Sequence, residues 1–393
     1  MRIRKLSIHN FRNLKASSLL GLEDFNFIHG LNGSGKTSVL ESIHTLALTR
    51  SFRSRKMQTV ISFEEDSLTV RGEFFVGEFG CKNKGADVSR ETLSSIGVRR
   101  SRQDMVLVKL NGEKLASVGE LAGVLPVQVI NPASFELLEG SPGVRRQYLD
   151  WGVFHVKHSG FYELWPRYRK ALQQRNSLLR RGNIGASVLA PWDAELASTA
   201  TLISAARQRH FEQLAVAFDE VYRKLLENST RFAEDRSDSA LGNIPSLSLE
   251  LYAGWKDAEV VPFAEALKAD LSQDIKSGFT RNGPHRADIV LKCGRLRAGE
   301  VLSRGQIKTI VCALKLAQSK VLLSQGVPTV FLIDDLAAEL DEGRCRAVFL
   351  ELIDLGVQVF ATAVKESDLH NEWCGERSLK RFHVEHGSIS PVL

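Results

Sequence analysis

Gly30-Leu31-Asn32-Gly33-Ser34-Gly35-Lys36-Thr37 is the feature that most restricts this chain. It follows the β-prone run Phe25-Asn26-Phe27-Ile28-His29 and precedes Val39, Leu40, Ile43, Leu46 and Ala47, which recur at helical spacing. Strand, glycine loop and helix form the setting in which G-x-x-x-x-G-K-[ST] cradles phosphate. The glycines let backbone N–H groups turn inward, and the helix N-terminus adds positive potential. Lys36 is expected to reach the β/γ-phosphates of ATP, and the Thr37 hydroxyl to bind Mg²⁺. The bland alternative is a glycine turn with a surface lysine.

Such a loop needs a carboxylate to hold the metal. Val330-Phe331-Leu332-Ile333-Asp334-Asp335 supplies one at the end of an apolar run. Asp334 is placed at the Mg²⁺ shell, and Asp335 as the group that orients or deprotonates the attacking water. Two acids closing a strand are also an ordinary helix N-cap signal. Ser303-Arg304-Gly305-Gln306 then opens a helix continued by Ile307, Ile310, Val311 and Leu314. A hydroxyl and a glycine amide at a helix N-terminus make a second anion site. One protomer already has its cradle at Gly30–Thr37, so this second site suits the γ-phosphate of ATP on a partner subunit. Read alone, Ser303 is an N-cap residue before a core helix.

The glycine loop and the two acids are about 300 residues apart, yet must share one metal, so the nucleotide-binding domain has to be discontinuous. A length of 393 residues also suits two domains or one with a large insertion. Ser67–Val76 reads as a strand, and the polar stretch 80–101 as a loop. From Gly143 the pattern is helical, and residues 193–228 contain neither Gly nor Pro. A straight helix over that stretch would be about 50 Å long, suited to a projecting arm; two helices with a bend are the alternative. After Pro262 the α/β pattern returns, with strands at 327–333 and 356–361 and a helix from about Glu342.

Composition excludes several classes. Hydrophobic residues make up 43% and charged residues 25%, which fits a folded soluble chain. No apolar run approaches the roughly 20 residues that span a bilayer, and Met1–Ile8 lacks a signal-peptide core, so a cytoplasmic protein is expected. Five cysteines without a C-x-x-C pair suit reduced thiols, and no zinc is expected. Net charge is +6, yet residues 141–181 alone carry nine Lys+Arg against two acids. Tyr148, Trp151, Phe161, Tyr162, Trp165 and Tyr168 interleave with them. Such cationic density suits phosphate-backbone contacts, with a solvated basic face over an aromatic core as the alternative. Arg145, Arg146, Arg167, Arg169 and Lys170 are therefore candidate DNA contacts. Arg50 and Arg53, with Arg55 and Lys56, form a second basic cluster past the glycine-loop helix.

Together the glycine loop, Leu302-Ser303-Arg304-Gly305-Gln306 and the acids followed by Ala338-Glu339-Leu340-Asp341 resemble the head of an ABC-type ATPase of the SMC branch. Ile8–Leu14, Arg50–Arg53, Arg145–Trp151 and Gly283-Pro284-His285-Arg286 are similar to the RecF family of bacterial recombination mediators, so the resemblance spans nearly the whole chain. It implies an α/β ATPase head with an inserted α-helical arm: head at 1–137, arm at 138–271, head again at 272–393. It further implies an ATP-dependent homodimer that binds gapped DNA or single-strand/duplex junctions and works with RecO and RecR to help load the RecA recombinase. The alternatives are another SMC-like ATPase clamp, or a P-loop kinase or transferase. Three departures from the ABC pattern imply slow hydrolysis: Arg304 replaces a glycine, Asp335 replaces a glutamate, and Thr362 stands where a switch histidine is expected. Gln128 is a weak candidate for the Q-loop glutamine.

Overall fold

The computed structural model describes residues 2–76, 92–115, 117–156, 160–182, 185–232 and 247–392. Two compact units emerge: residues 1–134, 218–241 and 308–393, and residues 135–217 and 242–307. The divisions fall at 134/135, 217/218, 241/242 and 307/308, where the sequence suggested 137/138 and 271/272. No helix among the described residues is long and apolar enough to cross a membrane.

The first unit holds two six-stranded sheets. One is antiparallel: β1 (Arg2–Phe11), β2 (Leu14–Leu20), β4 (Ser67–Val76), β5 (Thr92–Ser101), β6 (Val106–Leu110) and β7 (Glu113–Lys114), in the order β2-β1-β4-β5-β6-β7. The other contains β3 (Phe25–His29), β8 (Val127–Ile130), β12 (Val330–Asp334), β13 (Gln358–Ala363), β14 (Leu379–Glu385) and β15 (Ser388–Val392), in the order β15-β14-β3-β13-β12-β8. All its pairings are parallel except that of β15 with β14. Its central strands are apolar almost throughout because both faces are covered, and β13 is buried at every position.

Helix α1 (Lys36–Leu48) belongs to the same core. Val39, Leu40, Ile43 and Leu46 are wholly buried, and each contributes about 2 kcal/mol by leaving water. Gly72 of β4 makes room for it, since a Cβ there would lie 2.5 Å from Leu46 Cδ2. Helices α2 (Val118–Val124) and α10 (Glu342–Leu355) also belong to this unit.

The second unit contains α3 (Glu136–Glu139), α4 (Pro142–His155), α5 (Phe161–Leu179), α7 (Phe263–Ser277) and α8 (Ala298–Val301). It also holds an antiparallel sheet of β9 (Leu247–Tyr252), β10 (Asp288–Cys293) and β11 (Leu296–Arg297), which the helical-arm expectation lacked. Strand β9 alternates half-buried and exposed residues, a period-two pattern short enough to escape notice between helices. Helix α6 (Ala186–Phe232) is a single 47-residue element rather than two helices, starting in the second unit and continuing in the first. Helix α9 (Arg304–Ser324) starts in the second unit and continues in the first.

One expectation is corrected. Thr92–Ser101 is strand β5, not loop, because Ser94, Ile96 and Val98 alternate inward beneath a polar composition. The remainder of that expected loop, 80–91, lies outside the described residues.

Candidate nucleotide-binding site

The glycine loop, the acids and Thr362 gather at the carboxyl edge of the parallel strands, where open α/β sheets place their ligands. Register explains how. Strand β13 lies between β3 and β12, and Thr362 pairs with Ile28 on one side and Asp334 on the other. The Asp334 carboxylate oxygen Oδ1 accepts from both Thr37 Oγ1 at 2.9 Å and Thr362 Oγ1 at 2.8 Å. Residues 297 positions apart in sequence thus meet within one hydrogen bond.

Helix α1 begins at Lys36, and its N-cap Gly35 offers no side-chain cap; with no acid in the first turn either, its N–H groups are left open to an anion. Lys36 is buried, and its Nζ donates to the Gly30 carbonyl at 2.7 Å and the Leu31 carbonyl at 3.1 Å. Burial lowers its pKa, opposed by the charges of Asp335 and Asp334. Leu31, Asn32 and Gly33 are exposed at the loop tip, whereas Ser34 and Gly35 are buried. Asp335 sits in the left-handed region at φ 56°, its N–H donating to Thr362 Oγ1 at 3.1 Å. Burial first, then the neighbouring charge of Asp334, raises its carboxyl pKa.

Four further residues belong here that the motifs did not single out. Asn13 donates from Nδ2 to the Ser34 carbonyl at 2.8 Å and to the Gly33 carbonyl at 3.3 Å, while its Oδ1 accepts from Ser38 Oγ at 3.2 Å. Thr362, noted only as a missing histidine, links Asp334 to Asp335. Asn131 leaves β8 level with Asp334, since Ile130 pairs with Ile333. Gly387 donates its N–H to the Ser34 carbonyl at 3.0 Å. Asn13 had a signal in the stretch Ile8–Leu14; Gly387 had none. Gln128 is buried in β8 with its Nε2 donating to Gln318 Oε1 at 2.7 Å, a core pair rather than an edge group.

Ser303 and Gln306 form a reciprocal capping box at the start of α9. Ser303 Oγ accepts from the Gln306 N–H at 3.3 Å, and Gln306 Oε1 accepts from the Ser303 N–H at 2.9 Å. Ser303 and Arg304 are exposed, with Gly305 and Gln306 half-buried. The hydroxyl therefore already serves its own helix.

The basic candidates separate by burial. Arg145 is buried, its guanidinium gripping Asp288 at 2.7 and 3.0 Å and the Gly140 carbonyl at 2.7 Å. Arg146 donates to the Ala287 carbonyl at 2.8 Å and is half-buried. Arg145 is thus committed to bonds within the second unit, whereas Arg146 spends one nitrogen on a backbone carbonyl and keeps part of its side chain exposed. Arg167 is exposed and paired with Glu195 at 2.9 Å. Arg169, Lys170, Arg50 and Arg53 are exposed. Lys157 lies outside the described residues. Most of the interleaved aromatics are packing groups: Trp165 stacks on Phe161 and Tyr168, and Arg207 lies over its ring at 5.0 Å.

This fold and edge site define an SMC-type head, and the chain belongs to the RecF/RecN/SMC N terminal domain family, whose model matches residues 2–390. Within that class the similarity is to RecF. The DNA replication and repair protein RecF of Pseudomonas entomophila (strain L48) is 40% identical over 393 residues, covering 99% of this chain and 98% of that protein. Its counterpart in Chromohalobacter salexigens is 41% identical over 391 residues, with 99% of each covered. A solved structure of the recombination mediator protein RecF-ATP in the RecFOR pathway aligns at TM-score 0.77 and 28% identity, covering 100% of this chain and 97% of that one. An SmcHead structure aligns at TM-score 0.55 and 17% identity and shares the fold. Family membership sets the kinase or transferase alternative aside.

Proposed function

We propose that this chain is a RecF-type DNA replication and repair protein: an ATP-gated homodimer that binds gapped DNA at single-strand/duplex junctions. It cooperates with RecO- and RecR-type mediators to help load a RecA-type recombinase, in the cytoplasm. The observation that carries the reading is the convergence of Thr37, Thr362 and Asp334 beside Lys36 on one sheet edge.

The chain's own groups divide the work. Backbone N–H groups from Gly30 to Thr37 bind phosphate, with Lys36 adding charge. Thr37 and Asp334 offer a hydroxyl and a carboxylate oxygen 2.9 Å apart, a hard-oxygen pair suited to Mg²⁺ that keeps water and phosphate oxygens as its other ligands. Bound there, Mg²⁺ would neutralise charge on the β- and γ-phosphates. Thr362 orients Asp334, and Asp335 positions the attacking water. Ser303 and the N–H groups of α9 close the site from the partner subunit.

Hydrolysis is expected to be slow, well below the enzyme median of about 10 s⁻¹. Asp335 reaches less far than a glutamate would, and Thr362 is committed to Asp334 instead of a γ-phosphate. ATP between two subunits holds them together, so slow turnover sets the dimer's lifetime. DNA should accelerate it by favouring the closed dimer. Steady-state ATPase with and without gapped duplex tests this; a fast rate indifferent to gapped duplex would overturn the switch.

Replacing Asp335 with Asn should lower hydrolysis roughly 10²-fold or more while ATP binding and dimerisation persist. Asn also accepts the left-handed backbone at this position, so geometry is kept. Single-turnover hydrolysis and sedimentation with ATP measure the two halves. Parent-like turnover would remove Asp335 from the chemistry.

A further inference from the structure

The C-terminal hairpin presses on the glycine loop. We infer that the turn Glu385–Ser388, between β14 and β15, is a positioning element of the nucleotide site, acting through the Ser34 carbonyl. The inference rests on the nucleotide reading above.

Three contacts carry it. Gly387 N–H donates to the Ser34 carbonyl at 3.0 Å, the same oxygen that Asn13 Nδ2 reaches at 2.8 Å. The Val384 carbonyl lies against Gly30, where a Cβ would sit 2.2 Å from that oxygen. Gly387 is itself wedged on Asn13, since a Cβ there would come within 2.1 Å of the Asn13 carbonyl oxygen. Its own carbonyl accepts from Ser17 Oγ at 3.3 Å. At φ 80° the turn favours glycine at this position.

The consequence follows from peptide planarity. In a trans peptide the C=O and the next N–H point in opposite directions. Two donors holding the Ser34 carbonyl therefore fix the Gly35 N–H on the opposite side, within the run of amides that opens α1. Asn13 and Gly387 lie outside the glycine motif, yet they decide which way one of its amides faces. A hairpin that merely finished the sheet edge would have no such link. Linkage then makes the effect reciprocal: if the turn orders the cradle, a nucleotide in the cradle must order the turn.

Hydrogen exchange on the parent protein tests this without any substitution, at concentrations where sedimentation shows monomer with ATP. ATP should slow exchange at residues 383–390 at least tenfold and leave Val106–Leu110 of β6 unchanged. In parallel, Gly387→Ala should bind a fluorescent ATP analogue at least tenfold more weakly than the parent, with a parent-like circular dichroism spectrum. Exchange at 383–390 that ignores ATP overturns the inference, and so does parent-like affinity in folded Gly387→Ala. If that variant does not fold, the exchange result decides alone. Parent protein that takes up no ATP analogue sinks the nucleotide reading itself, and is recognised before any variant is made.

Discussion

Lys36→Ala protein should bind ATP roughly a thousandfold more weakly than the parent while remaining folded. The buried ammonium now donates to the Gly30 and Leu31 carbonyls, and with nucleotide bound it is expected to turn to the β/γ-phosphates. Two charge-assisted hydrogen bonds at about 2 kcal/mol each give about 4 kcal/mol, which is that thousandfold. The loop should keep its shape because Asn13 and Gly387 hold Ser34 independently of the lysine. Calorimetric titration with ATP measures the loss, and thermal melting reports the fold. A well-folded variant that dimerises with ATP and binds DNA as the parent does would remove the nucleotide assignment.

Ser303→Arg should abolish ATP-dependent dimerisation and leave the monomer's affinity for ATP nearly unchanged. The side chain is exposed at the start of α9, where bulk and charge would meet a partner's nucleotide rather than its own core. The substitution also removes the cap on α9, at about 1 kcal/mol. Ser303→Ala removes the same cap without the bulk, so it separates the two effects and should dimerise weakly rather than not at all. Sedimentation velocity with ATP reads both. Mixing Ser303→Arg with Asp335→Asn protein should recover hydrolysis that neither variant shows alone, since the mixed dimer keeps one complete composite site. ATP-driven dimerisation of Ser303→Arg at parent strength would exclude the signature from the interface.

What sequence could reveal depended on whether a role is written locally. The glycine loop and the paired acids are contiguous strings with fixed mechanics, and strand, loop, helix and acid strand fall where those strings place them. Asn13, Thr362 and Gly387 act through space, and nothing in a single chain says that a C-terminal glycine meets residue 34. Charge counting could not sort the nine basic residues of 141–181, because a tally carries no burial: Arg145 and Arg175 are spent on Asp288 and on Asp193 and Asp274, while Arg167, Arg169, Lys170, Arg180 and Arg181 are exposed. Of the aromatics between them, Tyr148, Phe161 and Tyr168 are buried and Tyr162 is exposed, a division the tally does not carry either. Strand β5 was hidden because its inward positions include a serine.

The placement of β3 has a consequence for how the protein comes into being. Both neighbours of this strand, β13 and β14, are made more than 300 residues after it, and so is the turn at Gly387. At about 5–20 residues per second, residues 30–37 wait roughly 20–70 s on the ribosome before their partners emerge. Until then the apolar run Phe25–His29 lacks both strands that flank it in the fold, and an unpaired strand edge is the kind of segment that invites wrong partners. The surroundings of the glycine loop are therefore complete only once residues more than 300 positions downstream have emerged.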